Sequence, residues 1–473
     1  MSFCKNQILQ DPNNIELYHQ AISLDKKDVE LYLGLGRTLV KQGKIDEAIS
    51  IYQIGLQIQP KNQELLEGFN QLREQKIAPS SNITAKINNI VSSALSNQET
   101  SRKEDFLQLP CHPSPVVSII IPVYNQIDYT SKCLRSIAEQ IPAALEIEVI
   151  VVNDCSTDNT AAILDQVRGL KRIDSQENLG FLHSCNRGVQ AASGEYIYFL
   201  NNDTELRPQA LEHLLSVFEQ DSEVGAVGSK LIYPDGSLQE AGGIVFQNAS
   251  AWNFGTKENV AAPQYNYLRP VDYCSGASLL VKRTVFAALT GFDTNFSPAY
   301  YEDTDLCFAI RHQLGLKIMY QPKSEVIHHE GISCGTRLDS PVKRYQSINQ
   351  AKFAQKWAAE LVGYSGDSSK AGIAAASRRH LCSNTILVVD LYAPCYDKES
   401  GARRIWEILQ IFKQLNNHVI FLADNGVKER PYVEMLQERS IEVVYQESGY
   451  ELAVEQQLEE LLSFVDMAWV CRP

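Results

Sequence analysis

From Val116 onward, short apolar runs alternate with amphipathic stretches. VVSIIIPVY (116–124) is an unbroken apolar run rich in β-branched residues, the pattern of a strand buried on both faces. Tyr129–Gln140 spaces its apolar residues at helical intervals, and EIEVIVVND (146–154) repeats the buried-strand pattern. A helix follows over Asn159–Val167, then a short strand KRIDSQ (171–176), a helix over Leu182–Ala192 and a long strand EYIYFLNND (195–203). This βαβα order predicts a parallel sheet with helices on both faces. Past Asp203 the rhythm changes to a helix over Pro208–Glu219 and hairpin-like pieces in GAVGSKLIYPDGSLQEAGGIVF (225–246), then the acidic helix start YYEDTDLCFAIRHQLG (300–315). That half is expected to elaborate the sheet and close over a site. A new βα series begins with ILVVDLYAP (386–394). It continues with a helix over Ala402–Leu415, strand HVIFLAD (418–424), a helix over Tyr432–Glu438, strand IEVVYQ (441–446) and a last strand in VDMAWVCRP (465–473). The series is short for a doubly wound domain, so the chain is expected to be a fragment of something longer.

The 473 residues suffice for about three domains of ordinary size. With 44% apolar and 21% charged residues, the chain has the balance of a protein with packed cores. The 43 basic residues are outnumbered by 57 acidic ones, a net charge of −14. That balance argues against a general binder of nucleic acid or anionic membrane, both of which would be repelled at long range. It leaves room for a small anionic ligand held by a local cation. The 11 cysteines are scattered without a CxxC pair, which speaks against a zinc site and for reduced cytosolic thiols. The start, MSFCKNQILQDPNN, has no apolar signal core, and the strongest apolar run is far short of the roughly 20 residues of a membrane helix. The expectation is a cytoplasmic protein without a transmembrane segment, with the inner face of the membrane as a peripheral location.

Residues 1–76 are helical and repetitive. Tyr32, Leu35, Gly36, Leu39, Gly43, Ala48, Tyr52, Gly55 and Pro60 stand at spacings that closely resemble a tetratricopeptide repeat, with small residues where two helices approach. Tyr18 and Ala21 resemble the second helix of an earlier, incomplete repeat, and Asn62–Gln75 would supply a following helix. The segment reads equally as a protein-docking groove or as a helical cap without a partner. Residues 77–113 and 365–384 are rich in Ser, Asn, Ala and Pro and read as linkers. They frame a main domain at 114–364 and a partial Rossmann-like unit at 385–473.

Four groups of residues carry candidate chemistry. Pro122-Val123-Tyr124-Asn125 ends the first strand, where an open parallel sheet binds ligands. It has neither GxGxxG nor a GxxxxGK[ST] loop, which argues against dinucleotide-binding and P-loop enzymes. Asp154 ends the second strand and is a candidate to accept hydrogen bonds from a base or ribose; Asp158, at the next helix entrance, reads better as a helix cap. Asn201-Asn202-Asp203 ends the third long strand, and Asp203 is placed to anchor a hard divalent cation or to cap the next helix. Glu302, Asp303 and Asp305 gather at a helix start, which the helix dipole alone would favour. Downstream, VIHHEG places His328 and His329 at a strand end, where alternation lets only one face the site.

In this order VSIIIPVYN, VNDCSTDNT, NLGFLHSCNRGVQAASGEYIYFLNND, GFDTNFSPAYYEDTDLC and VIHHEG resemble an inverting family-2 glycosyltransferase with the GT-A fold, over roughly residues 115–360. The resemblance implies an α/β domain around a mainly parallel sheet that binds a UDP-, GDP- or dTDP-linked sugar with Mg²⁺ or Mn²⁺. It implies that Pro122, Tyr124, Asn125, Asp154, Asn178, Asn201 and Asn202 hold the donor, that Asp203 and His328 hold the metal, and that Asp303 is the catalytic base. Glu302 and Asp305 would position the loop or a glycan or lipid-linked acceptor. The family's DxD stands here as Asn201-Asn202-Asp203, which weakens the charge on the metal and moves the ribose contact toward Asn201. The QxxRW motif of processive synthases is missing, since Gln355-Lys356-Trp357 does not match it, so transfer of one hexose or deoxyhexose is expected. The C-terminal unit resembles the start of a GT-B glycosyltransferase, with Gly401, Ala402 and Arg403 in its acceptor-side loop. A pyrophosphorylase is disfavoured because PVYNQIDYT offers neither glycine nor cation for a transferred phosphate. The non-enzymatic alternative is a repeat-containing scaffold with a degenerate transferase domain, supported by Asn201.

Overall fold

The computed structural model describes residues 14–24, 28–42, 44–59, 62–66, 68–69, 72, 107–330, 344–379, 382, 384–446 and 453–471. The chain divides into two compact units, Met1–Glu104 and Asp105–Pro473. In the first, helices Ile15–Leu24, Val29–Lys41 and Ile45–Ile58 bury Tyr18, Leu35, Leu39, Ala48 and Tyr52 between them. Asp28 caps the second helix by accepting the Glu30 N–H. Gly36 faces the Tyr52 ring so closely that a Cβ there would sit 2.1 Å from it, which explains the small residue at that spacing. Residues 63–66 are helical, and the rest of the helix expected up to Gln75 lies largely outside the described residues.

The second unit is built on strands β1 (Val117–Val123), β2 (Ile147–Asn153), β3 (Leu170–Asp174), β4 (Tyr196–Leu200), β5 (Thr204–Leu206), β6 (Val224–Ile232), β7 (Leu238–Glu240), β8 (Gly243–Val245), β9 (Ala251–Asn253), β10 (Arg269–Pro270), β11 (Ser278–Lys282) and β12 (Lys317–His328). The main sheet runs β10-β12-β6-β11-β4-β1-β2-β3, with β5 added to β12 and β7 to β6. Strands β4, β1, β2 and β3 are parallel; the near-continuous apolar runs of β1, β2 and β4 predict this, while β3 is a polar edge strand. The other half is mixed, because β11 lies antiparallel between β4 and β6. Two apolar cores cover the two faces, one including Ile120, Phe199, Phe292 and Phe308 and the other Ile119, Val149, Tyr198 and Leu214.

Within the two expected linkers, the described residues are held by specific contacts. Leu109 is buried, and its N–H bonds the Arg168 carbonyl beside β3, while residues 77–106 lie outside the described residues. The Ala-rich stretch Lys370–Arg379 forms a helix, as Ala favours. Its Arg378 is buried against Glu442 at 2.9 Å, and His418 Nε2 lies 3.0 Å from the same carboxylate. Burial would raise Glu442, but Arg378 and His418 outweigh it and hold the carboxyl well below its usual range. Glu442 belongs to a second, wholly parallel sheet of β13 (Thr385–Asp390), β14 (His418–Val427), β15 (Ile441–Gln446) and β16 (Met467–Val470), in the order β15-β14-β13-β16. A helix over Val454–Leu462, which the sequence pattern had not indicated, precedes β16.

Candidate active site

The carboxyl ends of β1, β2 and β4 open onto a cavity of about 520 Å³. Pro122, Tyr124, Asp154, Asn178, Asn201, Asn202, Asp203, Glu302, Asp303 and His328 all line it, so ten of the expected site residues converge in one place. Asn125 and Asp305 do not line it. Asn125 Oδ1 instead accepts the Thr157 N–H at 2.7 Å and the Asp158 N–H at 3.3 Å, tying the loop after β1 to the loop after β2. Asp158 accepts from Thr160 N at 3.0 Å and so serves the helix entrance.

Asp154 is almost fully buried, and both its oxygens are engaged. They accept the N–H groups of Leu179 at 2.9 Å and Gly180 at 2.7 Å, which fixes the loop carrying Asn178. Gly180 has φ +83°, and a Cβ there would stand 3.0 Å from the Pro298 carbonyl. Only glycine takes this turn without strain, and the turn is what aims the two amides at Asp154.

Antiparallel pairing of β5 with β12 sets Thr204 opposite His328, and the His329 N–H bonds the Asp203 carbonyl at 3.0 Å. His328 Nε2 therefore comes within 3.3 Å of Asp203 Oδ1. His329 faces the other way, with Nε2 2.7 Å from Glu205 Oε1 and its ring edge-on to Tyr129. The alternation expected of the two histidines is observed. Asn201 Nδ2 lies 3.4 Å from His328 Nε2, and Asn201 Oδ1 is buried without a hydrogen-bond partner. Asn202 turns its amide to Thr130 Oγ1 at 3.0 Å.

Opposite stands the start of helix Glu302–Leu314. Asp303 accepts the Gly276 N–H at 2.9 Å and the Thr304 N–H at 2.7 Å. Burial raises its carboxyl above the ordinary range, against these hydrogen bonds. Burial, reinforced by Asp303, pushes Glu302 well above its usual value, and Glu302 Oε2 is buried without a partner. Sequence reasoning missed several neighbours: Gln239, Tyr273, Ser275, Gly276 and Glu330 line the cavity, and Glu240 lies behind Ser275. Glu240 Oε1 accepts the Ser275 N–H, and burial, with the charges of Asp303 and Glu330, raises its carboxyl to about 8. The one signal for them was the Gln-Glu pair preceding Gly242-Gly243.

The charge balance is one-sided. Asp154, Asp203, Glu302, Asp303 and Glu330 line the cavity, and among the described residues no Lys or Arg does. The described residues hold no cluster of three His, Cys, Asp or Glu side chains at metal-binding distance. The chemistry that does fit a cation is a pair, the Asp203 carboxylate and the His328 nitrogen, with the unpartnered Asn201 Oδ1 beside them. A hard divalent ion is commonly held by one or two carboxylates, with waters and substrate phosphates completing its shell.

Residues 118–288 match the model of glycosyl transferase family 2. This part of the chain is a glycosyl transferase family 2 domain. Residues 15–67 match a tetratricopeptide repeat. The chain is 30% identical over 266 residues to the O-antigen biosynthesis protein RfbC of Myxococcus xanthus, covering 54% of this chain and 20% of that protein. It is 25% identical over 247 residues to the N-acetylglucosaminyl-diphospho-decaprenol L-rhamnosyltransferase of Mycobacterium tuberculosis, covering 46% of this chain and 78% of that one. Thus it spans about a fifth of the first relative's length. Among solved structures, GalNAc-T7 with UDP, GalNAc and Mn²⁺ aligns at a TM-score of 0.44 and 15% identity, over 52% of this chain and 50% of that one. No helix among the described residues is long and apolar enough to cross a membrane.

Proposed function

We propose that the family 2 domain moves one hexose or deoxyhexose from a UDP-, GDP- or dTDP-linked donor to a hydroxyl of a glycan or lipid-linked acceptor, with inversion. The observation that carries this reading is Asp303, a carboxylate of raised basicity, set across one cavity from the Asp203–His328 pair. In it, Pro122, Tyr124 and Asn178 bound the nucleoside end, and the exposed Tyr124 ring offers a stacking face. Asp203, His328 and the Asn201 oxygen would hold a Mg²⁺ or Mn²⁺ ion, which supplies Lewis-acid neutralisation of the diphosphate leaving group. Asp303 accepts the proton of the attacking hydroxyl, a role usually worth about 10²–10⁴-fold. Burial shifts Glu302 toward its protonated form, which can donate a hydrogen bond to a sugar hydroxyl. With Asp154, Asp203, Asp303 and Glu330 along the wall and no described Lys or Arg, the cavity favours a neutral sugar over a carboxylated one.

The nine cysteines among the described residues are free thiols, which supports a reducing cytoplasmic setting. In this reading the domain works at the inner face of the membrane in glycan or polysaccharide synthesis, and the tetratricopeptide unit docks a protein partner. The β13–β16 sheet would be the opening of a GT-B-like second transferase, to which no activity is assigned. The direct test presents UDP-, GDP- and dTDP-sugars with Mn²⁺ and measures release of nucleotide and the anomeric form of the product. Release from one donor class with inverted product supports the reading. No binding and no release with any donor would favour the non-catalytic scaffold.

A further inference from the structure

We infer that Gln239 and Glu330 are positioning residues that hold His328 in a single tautomer, with its Nε2 lone pair aimed at the cation site. The inference rests on the metal-site reading above and follows from counting donors and acceptors along one chain of hydrogen bonds. Glu330 Oε2 receives the Tyr233 O–H at 2.8 Å and the Gln239 amide N–H at 3.0 Å. A carboxylate taking two donors on one oxygen is acting as acceptor only. The Gln239 NH₂ group must therefore face Glu330, which turns its carbonyl Oε1 toward His328 Nδ1 at 3.1 Å. An amide oxygen can only accept, so Nδ1 carries the imidazole proton. In a neutral imidazole the other nitrogen is then bare. That nitrogen, Nε2, is the one 3.3 Å from Asp203 Oδ1, and the Asn201 amide points at it as a donor at 3.4 Å.

The opposite tautomer would set two lone pairs against each other, Nδ1 against Gln239 Oε1, in a place where water cannot relieve them, whereas the bare Nε2 beside Asp203 Oδ1 is relieved by the cation the two would share. Gln239 is 2% exposed and His328 8%. The three supporting side chains also come from separate parts of the fold. Tyr233 follows β6, Gln239 lies in β7, and Glu330 follows β12. The β6–β7 pairing brings Gln239 back toward β12, which β6 also pairs. A histidine whose second nitrogen donates to a fixed acceptor is the usual way a protein orients a metal-binding imidazole, and losing the acceptor typically lowers metal affinity about 10–100-fold.

The test uses the full chain with nitrogen-15-labelled histidine. The His328 ring signal, identified by its loss in His328→Gln, is read with diamagnetic Mg²⁺ and UDP, GDP or dTDP present. It is expected to show the Nδ1–H tautomer, and Gln239→Met is expected to shift it toward Nε2–H. In parallel, free Mn²⁺ is followed by electron paramagnetic resonance with UDP, GDP or dTDP present, and Gln239→Met is expected to weaken Mn²⁺ binding about 10–100-fold. An Nε2–H tautomer in the wild type overturns the inference even if the variant fails to fold. So does a folded Gln239→Met protein with unchanged tautomer and unchanged Mn²⁺ affinity. A wild type that shows the Nδ1–H tautomer but binds no Mn²⁺ with any of the three nucleotides overturns the metal-site reading instead.

Discussion

Asp305 Oδ1 accepts the indole N–H of Trp357 at 2.7 Å while its Oδ2 pairs with Lys356 Nζ at 2.8 Å. These contacts turn Asp305 away from the cavity that Asp303 lines, although both sit in the first turn of one helix. Asp305 is nearly buried, so its work is to fasten the helix Arg344–Lys356 and the following Trp357 to the domain. Asp305→Asn is therefore expected to lower stability by about 1–3 kcal/mol through the weakened charged bond, with donor affinity unchanged. Denaturant unfolding and donor titration on the same preparation check this. A stable variant that has lost donor binding would place Asp305 in the site.

Glu240 makes stability depend on pH. Its folded-state pKa is raised to about 8, above the value of an unfolded glutamate. A group shifted in this direction contributes its full stability below the unfolded pKa and loses it as pH rises through the folded value. Glu240→Gln cannot ionise and keeps the acceptor for Ser275 N–H. It is expected to melt higher than wild type at pH 8–9 and to converge with it near pH 4, with roughly 2–4 °C for each kcal/mol gained. Parallel melting curves across that range would show that Glu240 is not the group concerned.

Asp203 is expected to carry the metal dependence of donor binding. In the wild type Mn²⁺ should tighten donor binding relative to EDTA, and Asp203→Ala should remove that difference while the fold persists, because the residue sits at a strand tip outside both apolar cores. Calorimetric titration with and without Mn²⁺ decides it. The same Mn²⁺ enhancement in the variant would move the cation elsewhere.

The acidic wall predicts a preference that matched donors can expose. Given a neutral hexose donor and the uronic acid of the same nucleotide and ring stereochemistry, the neutral one should bind at least about tenfold better, equivalent to one pKa unit of like-charge cost. Competition for binding measures it. Equal affinity would mean that a cation outside the described lining meets the carboxylate.

The strand tips were legible because β1, β2 and β4 are buried on both faces, and their apolar runs end abruptly at Tyr124, Asp154 and Asn201. Asp303 and His328 were legible from the motifs around them, and the structure brings them to the same cavity. Gln239, Glu240 and Ser275 were not. They lie in a three-residue strand and a turn, too short for any period, and Gln239 and Glu240 are buried polar groups whose partners come from distant segments. The helix Lys370–Arg379 escaped for a related reason. Its small residues mimic a linker, and only Glu442, far along the chain, explains why Arg378 is buried. Asn125 and Asp305 read as site residues because motifs identify positions, whereas the direction of each side chain is set by its partners, Thr157 in one case and Trp357 in the other.

The central claim is that Asp303 takes the proton from the acceptor, and Asp303→Asn tests it most directly. An amide keeps the shape but cannot take up the proton; its single oxygen keeps one of the Gly276 and Thr304 N–H bonds that the two carboxylate oxygens now accept, so some stability is lost as well. The wild-type kcat should fall as pH drops through the raised pKa of Asp303, above the ordinary carboxylate range. In the variant, kcat should drop about 10²–10⁴-fold above that range and approach the wild-type value below it, with donor Kd unchanged. A variant that keeps its kcat and loses only thermal stability would contradict the account and reduce Asp303 to a helix-start residue.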